Sequence, residues 1–314
     1  MIQNLSTYNA WKRSTLDRTA GHYRTKLIEV LAVNLRLNQH QIVSALRSGA
    51  RSVSVGEGNL DRDLKKVFLD HQRQTIHVAV SDGIREVTPE KEFSTWTKWP
   101  WHYPVENTFV SLADKNKRDK IVKPIFETIE GANARKIKAN VTSVKNKYLS
   151  LLQRTFRMFS KDYFADADTD VTRDLVKDII GHTLEVNKPH AEMIFRTETT
   201  RYFNDARVAY FQENTDVDFV QLIAVTDGRI SNICESRDGY VVPLEKAELK
   251  QFKPPFHPNC RTIQSPLDTD LKSDVEEVRR NLGSEFGVVH SDTSDKDFTG
   301  GRAAPRVPLP KGWN

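Results

Sequence analysis

The stretch PPFHPNCRT, residues 254–262, contains the side chains in this chain best suited to metal binding or nucleophilic chemistry. It places His257 three residues before Cys260, between prolines and an arginine. The only other cysteine, Cys234, lies upstream in TDGRISNICESRDG. One histidine with two cysteines could hold zinc, could supply a nucleophile and its base, or could form a packed turn.

The elements before this stretch must position it, and a helix predicted from about 188 to 213 carries a polar face. Glu198 lies three residues before Arg201, so the two side chains can pair along the helix. The polar face could tie down the loops that follow or bind an anion, and we favour structural hydrogen bonding. Its members, at steps of four, four and three residues, are Arg196, Thr200, Asn204 and Arg207.

A basic block precedes that helix. From Lys115 to Lys161 the chain has 13 Lys or Arg and 3 Asp or Glu, although its net charge is only +5. Such a block suits contact with phosphate or with an acidic protein, and a solvated helix face is the alternative. The candidate contact residues are Lys115, Lys117, Arg118, Lys120, Arg135, Lys136, Lys138, Lys145, Lys147 and Arg154.

Composition excludes several classes of protein. The chain has 314 residues, of which 28% are charged and 38% hydrophobic, as expected for a folded protein of about two domains. No apolar run approaches the roughly 18 residues of a membrane span. The N-terminal sequence has no secretion signal, and two cysteines make no disulfide framework. We therefore expect synthesis in the cytoplasm and no membrane partner.

Periodicity predicts mostly helices. Apolar residues repeat at helical spacing from about 132 to 164, and the run 218–225 is typical of a buried strand. The segment 75–88 reads as a β-hairpin that turns at Ser81-Asp82-Gly83. We also predict a helix over 8–47 with breaks near Gly21 and Asn38, a helix ended by Gly181 and a last helix at 274–282. Between them we predict a packed aromatic loop at 96–104, a short helical turn at SNICESRDG closed by Gly239, and a strand at YVVPL.

These elements predict an α+β fold, with a mainly helical N-terminal region, a long basic helix, and a compact C-terminal α+β module followed by a flexible tail. The predicted division is an N-terminal region at 1–130 with the hairpin 75–88, a basic helical connector at 131–185, a compact module at 186–267, and an acidic segment and tail at 268–314.

The order of motifs in the compact module resembles the Mu-F-like module of tailed-phage head morphogenesis proteins, also called minor head or minor capsid proteins. The resemblance covers roughly residues 190–265, and the run P-P-x-H-P-N-C-R is its most specific part. The family-signature positions are Arg196, Thr197, Glu198, Asn204, Asp227, Arg229, Cys234, Asp238, Gly239, His257, Pro258, Asn259, Cys260 and Arg261.

The resemblance implies a non-enzymatic component of the virion interior, made in the host cytoplasm. Such proteins are expected in few copies inside the procapsid, where they bind the portal protein and influence head assembly, DNA packaging or DNA ejection. Further partners that it implies are genomic double-stranded DNA, the scaffold and the major capsid protein. The signature positions would then have structural or interaction roles.

The resemblance also bears on metal binding, because the family pattern includes C-x-x-C and H-P-N-C-R-C. Here Ser231 and Thr262 stand at two of those cysteine positions. We predict no cofactor and interpret the remaining cysteines as packed apolar residues, with a histidine hydrogen bond that fixes the loop. Zinc stays an open alternative, with the ligands Cys234, His257, Cys260 and Asp227.

Three other functions are weighed against the head protein. A nuclease of the His-Asn-His kind would use His257 and Asn259, but the sequence offers no second metal ligand near them. A Cys-His hydrolase would need Cys260 to face His257 from a separate element, which a spacing of three residues opposes. A stand-alone DNA-binding protein would use the basic block without binding a portal.

Overall fold

The computed structural model describes residues 5–87, 112–163, 173–225 and 229–266. Helices dominate these residues, and one small antiparallel sheet lies near their C-terminal end. The fold is therefore α+β with a helical N-terminal region, as predicted. Its elements are α1 (Leu5–Leu37), α2 (Gln39–Arg47), α3 (Leu60–Val87), α4 (Leu112–Tyr163), α5 (Arg173–Asn214), β1 (Phe219–Ile223), α6 (Asn232–Glu235), β2 (Val241–Pro243), a 3-10 turn (Leu244–Lys246) and β3 (Ile263–Pro266).

The chain folds into two compact units. The helical unit comprises Thr19–Gln72 and Ala132–Phe195, and the mixed unit comprises Met1–Arg18, Arg73–Gly131 and Arg196–Asn314. The predicted four-part division of the chain stays a prediction.

The helical unit is built around aromatic and leucine side chains. Phe68 stacks on Phe195 with ring centroids 5.1 Å apart. Tyr148 is fully buried, and its hydroxyl donates to Asn34 Oδ1 at 2.8 Å, so its polar group is satisfied. The leucines Leu27, Leu31 and Leu35 of α1 recur every four residues and are buried, which explains why α1 holds its helical form in this unit.

The mixed unit contains the sheet, whose order is β2-β1-β3 with both pairings antiparallel. The central strand β1 pairs Val220 with Val242 on one side and Ile223 with Ile263 on the other. Each outer strand ends in a proline, Pro243 or Pro266. The strand predicted at 218–225 is therefore confirmed, and it lies at the centre of the sheet.

A buried ion pair joins α3 and α5 within the mixed unit. Arg207 Nη1 donates to Asp82 Oδ2 at 2.5 Å, and the two side chains are 0% and 1% exposed. Arg207 also lies over the rings of Phe203 and Phe211, at 5.1 and 5.4 Å from their centroids. The pair fixes a long-range contact in the core of this unit.

The predicted hairpin at 75–88 is wrong, because α3 continues to Val87. Its alternating apolar residues also fit helical spacing: Ile76, Ala79 and Val80 are buried on one face. Gly83 serves close packing rather than a turn, since a Cβ there would lie 2.9 Å from Tyr210 Cδ1. Tertiary packing therefore overrides the local turn signal.

Two predicted helix ends are also corrected. Gly21 lies inside α1 and Gly181 inside α5, and a Cβ at either position would meet nothing within 4 Å. A glycine inside a helix costs only about 1 kcal/mol, which burial of neighbouring residues offsets. The predicted break near Asn38 is confirmed, because α1 ends at Leu37 and α2 begins at Gln39.

Several predictions lie outside the described residues, among them the aromatic loop at 96–104, the helix at 274–282 and the tail. Among the described residues, no helix has both the length and the apolar character that crossing a bilayer requires.

Candidate functional site: the proline-flanked loop and its supports

The loop 254–262 is held from one side by the polar face of α5. Thr200 Oγ1 donates to the carbonyl of Cys260 at 2.6 Å, and the backbone N–H of Asn259 donates to Thr197 Oγ1 at 2.9 Å. Asn259 has a φ of 62°, a left-handed conformation that asparagine tolerates better than most residues. The loop backbone is thus bonded to side chains one helical turn apart.

The same face continues to the strand that follows the loop. Asn204 Nδ2 donates to the carbonyl of Thr262 at 3.2 Å, and Asn204 Oδ1 accepts from the N–H of Gln264 at 2.7 Å. Gln264 Nε2 in turn donates to the carbonyls of Ala247 and Phe252 at 2.8 and 3.0 Å. The polar face therefore ties down the loop and β3, which is the structural interpretation favoured from the sequence.

The outer members of that face have other partners. Arg207 pairs with Asp82 in the core. Arg196 Nε lies 3.5 Å from Asp17 Oδ1. The predicted pair along the helix is present, with Arg201 Nε 3.2 Å from Glu198 Oε2. The arginines of this helix therefore form ion pairs with acidic residues of the mixed unit itself.

On the opposite side of the loop lies the short helix α6. Ser231 caps it, accepting a hydrogen bond on Oγ from the N–H of Cys234 at 3.3 Å. Serine is a preferred residue at this position because its oxygen satisfies a free N–H of the first turn. The cap fixes Cys234 so that its side chain faces the loop.

Three side chains meet where α6 faces the loop. Cys234 Sγ lies 2.9 Å from His257 Nε2 and 3.6 Å from Cys260 Sγ. Ser231 Oγ lies 2.8 Å from the same Nε2. Both cysteines are free thiols in a small apolar cluster with Ala224. The structure thus brings together the three residues that the sequence singled out and adds Ser231.

Hydrogen bonds within this cluster set its protonation. The bond from Cys260, with further bonds from His257 and Ser231, lowers the pKa of the Cys234 thiol, although burial acts in the opposite direction. The bond to Cys234 and burial raise the pKa of Cys260. The bond to Cys234 also raises the pKa of His257. Of the two thiols, Cys234 is therefore the one that loses its proton more easily.

This pairing differs from the hydrolase considered from the sequence. The histidine faces Cys234 rather than Cys260, and the two cysteines are only 4% and 0% exposed. A nucleophile must reach its substrate, and these sulfur atoms are enclosed. Among the described residues, the group of three or more possible metal ligands comprises the two cysteines and His257.

Other signature positions shape the backbone near the cluster. Asp238 Oδ1 accepts from the N–H of Ala224 at 2.8 Å. Gly239 has a φ of 81°, which favours glycine, and its N–H donates to the carbonyl of Leu222 at 2.8 Å. Asp227 lies outside the described residues, and Arg229 is exposed. That Asp227 and Arg229 hydrogen-bond into the loop is a prediction from the sequence alone.

Two contributors were missed by the sequence reasoning. Ser231 was treated only as a replaced cysteine, although a serine just before a short helical turn is a capping signal. Arg237 is buried, lies 4.7 Å from the centroid of the Phe256 ring, and donates to the carbonyl of Ile233 at 2.9 Å. No local sequence pattern predicts that Arg237 is buried, because its partners are backbone carbonyls and one ring that is distant in the chain.

Replacing His257 with alanine is expected to lower the stability of the mixed unit by about 1–2 kcal/mol. The change removes the donation from Nδ1 to the carbonyl of Pro258 at 2.7 Å and the contacts of Nε2 with Cys234 and Ser231. Thermal unfolding measures it, with His40→Ala as an exposed control. An unchanged melting temperature for His257→Ala would show that the histidine does not fix the loop.

A second candidate site is a positively charged stripe on α4, which we call the basic face: Lys136, Lys147, Arg154 and Lys161. Steps of 11, 7 and 7 residues place these four exposed side chains on one side of the helix. Lys145, by contrast, is engaged by Glu57 and Asp61 at 2.9 and 3.0 Å. These ion pairs raise the pKa of Lys145, with Glu57 as the largest cause.

The remaining predicted contact residues divide by exposure and position. Lys120, Arg135 and Lys138 are exposed on the same helix. Lys115, Lys117 and Arg118 lie within the bounds of α4, and their side chains fall outside the described set. From Gly131 to Lys161 the chain has no Asp or Glu, so no acid on this part of α4 offsets the basic face.

Comparison with known proteins connects these two sites. Residues 119–265, just under half of the chain, match the family described as Phage Mu protein F like protein. No curated protein and no solved structure matches the chain. The match runs from α4 through the loop to β3 and so includes both the basic face and the cysteine–histidine cluster. Through this segment, the chain is similar to the phage Mu F-like family, and the similarity indicates a phage head protein.

Proposed function

We propose that this protein is a minor component of the phage head interior, which binds the portal protein in the procapsid and contacts packaged double-stranded DNA. In this role it influences head assembly, DNA packaging or DNA ejection. The similarity of residues 119–265 to the phage Mu F-like family supports the place in the phage head. The observation that carries the DNA contact is the basic face of α4.

The basic face has the dimensions and charge that a duplex requires. From Lys136 to Lys161 it extends about 38 Å at 1.5 Å per residue, which is close to one turn of B-DNA. Its side chains are exposed, and none makes an ion pair with another described residue. Lys and Arg displace condensed counterions from DNA phosphates, so such a stripe binds duplexes regardless of sequence.

The cysteine–histidine cluster supports a role without catalysis. Its thiols are enclosed, and the loop around it is bonded on both sides to α5 and α6. We therefore assign the signature residues to structure, holding the module in one shape while other surfaces meet partners. The scaffold and the major capsid protein are further partners within this proposal.

Neutralising two residues of the basic face tests the DNA contact. Lys147→Gln with Arg154→Gln is expected to weaken binding to a short duplex roughly 10- to 100-fold near 0.1 M salt. The slope of log affinity against log salt should also fall by about 2, since each phosphate contact contributes about 0.9. Fluorescence anisotropy with the full chain measures both quantities.

The matched control removes the same charge elsewhere. Lys177→Gln with Lys188→Gln changes two exposed lysines on α5 that pair with Asp174 and Glu185. This control should bind DNA like the unchanged protein. Equal weakening in both double variants would mean that net charge, rather than the basic face, governs binding.

A pull-down with the cognate portal protein tests the assembly role, at low and high salt and with and without duplex DNA. Portal binding that persists without DNA supports the proposal. Salt-sensitive DNA binding without portal binding would instead favour a stand-alone DNA-binding protein. The double variant Lys147→Gln with Arg154→Gln can also be tested in this pull-down without DNA. If it no longer binds the portal, the basic face contacts the portal protein.

A further inference from the structure

Three donor atoms converge in the mixed unit without an assigned ligand. The sulfur atoms of Cys234 and Cys260 and a ring nitrogen of His257 all lie within 4.8 Å of one another. Thiolate sulfur and imidazole nitrogen together are the donor set that zinc prefers in proteins. We propose that these three side chains bind one zinc ion, which joins α6 to the loop 254–262. This inference does not depend on the proposed function.

The two sulfur atoms have nearly the separation that they would have around a tetrahedral zinc ion. Zinc–sulfur bonds of about 2.3 Å and zinc–nitrogen bonds of about 2.05 Å imply sulfur–sulfur edges near 3.8 Å and sulfur–nitrogen edges near 3.6 Å. The two Sγ atoms are 3.6 Å apart, and Cys234 Sγ is 2.9 Å from His257 Nε2. The sulfur–sulfur separation is within about 0.2 Å of the ideal edge, and the ring nitrogen must withdraw from Cys234 Sγ by about 0.7 Å.

The histidine is oriented in the way that metal ligands usually are. A carbonyl only accepts, so the 2.7 Å contact between His257 Nδ1 and the oxygen of Pro258 fixes a proton on Nδ1. In the neutral ring Nε2 then carries the lone pair, and this atom faces Cys234. A ligating histidine typically donates its other N–H to a carbonyl or a carboxylate, which fixes the tautomer and raises ligand basicity.

The hydroxyl oxygen of Ser231 lies beside the fourth coordination position of the proposed zinc ion. Ser231 Oγ lies 2.8 Å from His257 Nε2 and accepts from the N–H of Cys234. Three protein ligands with an open fourth position can take a water molecule, and the serine hydroxyl is placed to hydrogen-bond that water. Since Ser231 and His257 are half-buried while the sulfurs are enclosed, the ion would enter from the serine side.

The ligands come from two segments of the chain that no disulfide between these cysteines joins. Cys234 and Cys260 are 26 residues apart in the chain, and each lies on a short segment with little regular structure of its own. Binding free energy of a structural ion adds to folding free energy because the unfolded chain has no preformed site. Zinc would therefore stabilise the loop and release the remaining thiol protons as it binds.

Metal content of the purified full chain is the first test. We expect roughly one zinc per chain after dialysis without a strong chelator, measured by elemental mass spectrometry. We expect Cys260→Ser and His257→Gln to weaken zinc binding by more than about 100-fold in competition with a chromogenic chelator. Even the loss of a residue that only hydrogen-bonds a metal ligand costs about 10- to 100-fold in affinity. A metal-free chain that takes up no zinc in that titration would overturn the proposal.

Two variants of Ser231 make the test independent of folding defects. Ser231→Ala keeps all three proposed ligands and should still bind zinc. Ser231→Cys places a third sulfur at the fourth position and should bind at least 10-fold more tightly than the unchanged protein. Equal zinc affinity for Ser231→Cys and the unchanged protein would show that no ion lies at this position.

Cobalt and thermal melting supply further readouts. Cobalt added to the apo chain should give intense visible absorption, typical of a tetrahedral site, and a thiolate charge-transfer band that Cys234→Ser weakens. Zinc should raise the melting temperature, and a strong chelator should lower it. If the two thiols form a disulfide in air while added zinc stays unbound, the proposal is wrong. The cysteines would then be a redox-sensitive pair instead.

Discussion

Replacing Asp82 with asparagine is expected to lower the free energy of unfolding of the mixed unit by about 3–5 kcal/mol. The substitution keeps the shape of the side chain and removes its charge, so the guanidinium of Arg207 remains enclosed without its counter-ion. Both side chains are essentially fully buried, and an uncompensated buried charge carries a cost of this size. Chemical denaturation followed by circular dichroism measures the change.

An exposed ion pair provides the control for this prediction. Asp174→Asn removes a carboxylate 2.8 Å from Lys177, where both side chains are mostly exposed. The expected loss there is below about 1 kcal/mol, because solvent screens such pairs. Similar losses for Asp82→Asn and Asp174→Asn would contradict a buried pair in the core.

A double variant separates the pair from its environment. Arg207→Met with Asp82→Leu removes both charges and should be less destabilised than Asp82→Asn alone, since apolar residues of similar size often replace a buried pair at little cost. The aromatic rings over which Arg207 lies, Phe203 and Phe211, can contact a methionine equally well. A double variant less stable than the single one would show that the ion pair itself is net stabilising.

Replacing Asn204 with alanine is expected to cost about 2–4 kcal/mol. Its amide bonds the carbonyl of Thr262 and accepts from the N–H of Gln264, and the residue is 0% exposed. The truncation leaves one acceptor and one donor buried without those partners, and each such group costs about 1–3 kcal/mol. We expect hydrogen exchange at the N–H of Gln264 to accelerate along with the loss of stability.

The control is Asn146→Ala on α4, where the asparagine is exposed, and it should change stability by less than about 0.5 kcal/mol. Asn204→Asp keeps an oxygen for the N–H of Gln264 but loses the donor to Thr262. Protection of the Gln264 N–H should therefore survive better in Asn204→Asp than in Asn204→Ala. Identical exchange rates in the two variants would mean that Asn204 Oδ1 does not hold β3.

Local patterns were sufficient for the parts of the site that lie close together in the chain. The spacing of Thr200 and Asn204 predicted that both point the same way from α5, and both contact the segment 260–264. The apolar run 218–225 predicted β1, and the proline-flanked loop was recognised from its composition. In each case the physical cause, helical periodicity or burial on both faces of a strand, acts over a few residues.

The parts that escaped prediction depend on distant partners. Nothing near Asp82 reveals that its partner is Arg207, 125 residues away, and the Ser-Asp-Gly sequence there is an ordinary turn signal. The strand β3 contains the polar residues Gln264 and Ser265, which are buried only because other segments satisfy them. Long-range contacts decided these elements, and single-sequence patterns do not contain them.

The prolines at the ends of the outer strands have a consequence for how this protein behaves among other chains. A sheet of three strands has two edges, and an edge with unpaired N–H and C=O groups can recruit a strand from another molecule. Proline has no N–H to donate, so Pro243 and Pro266 each remove one bonding group from an edge. The prolines therefore discourage this small sheet from growing by strand addition.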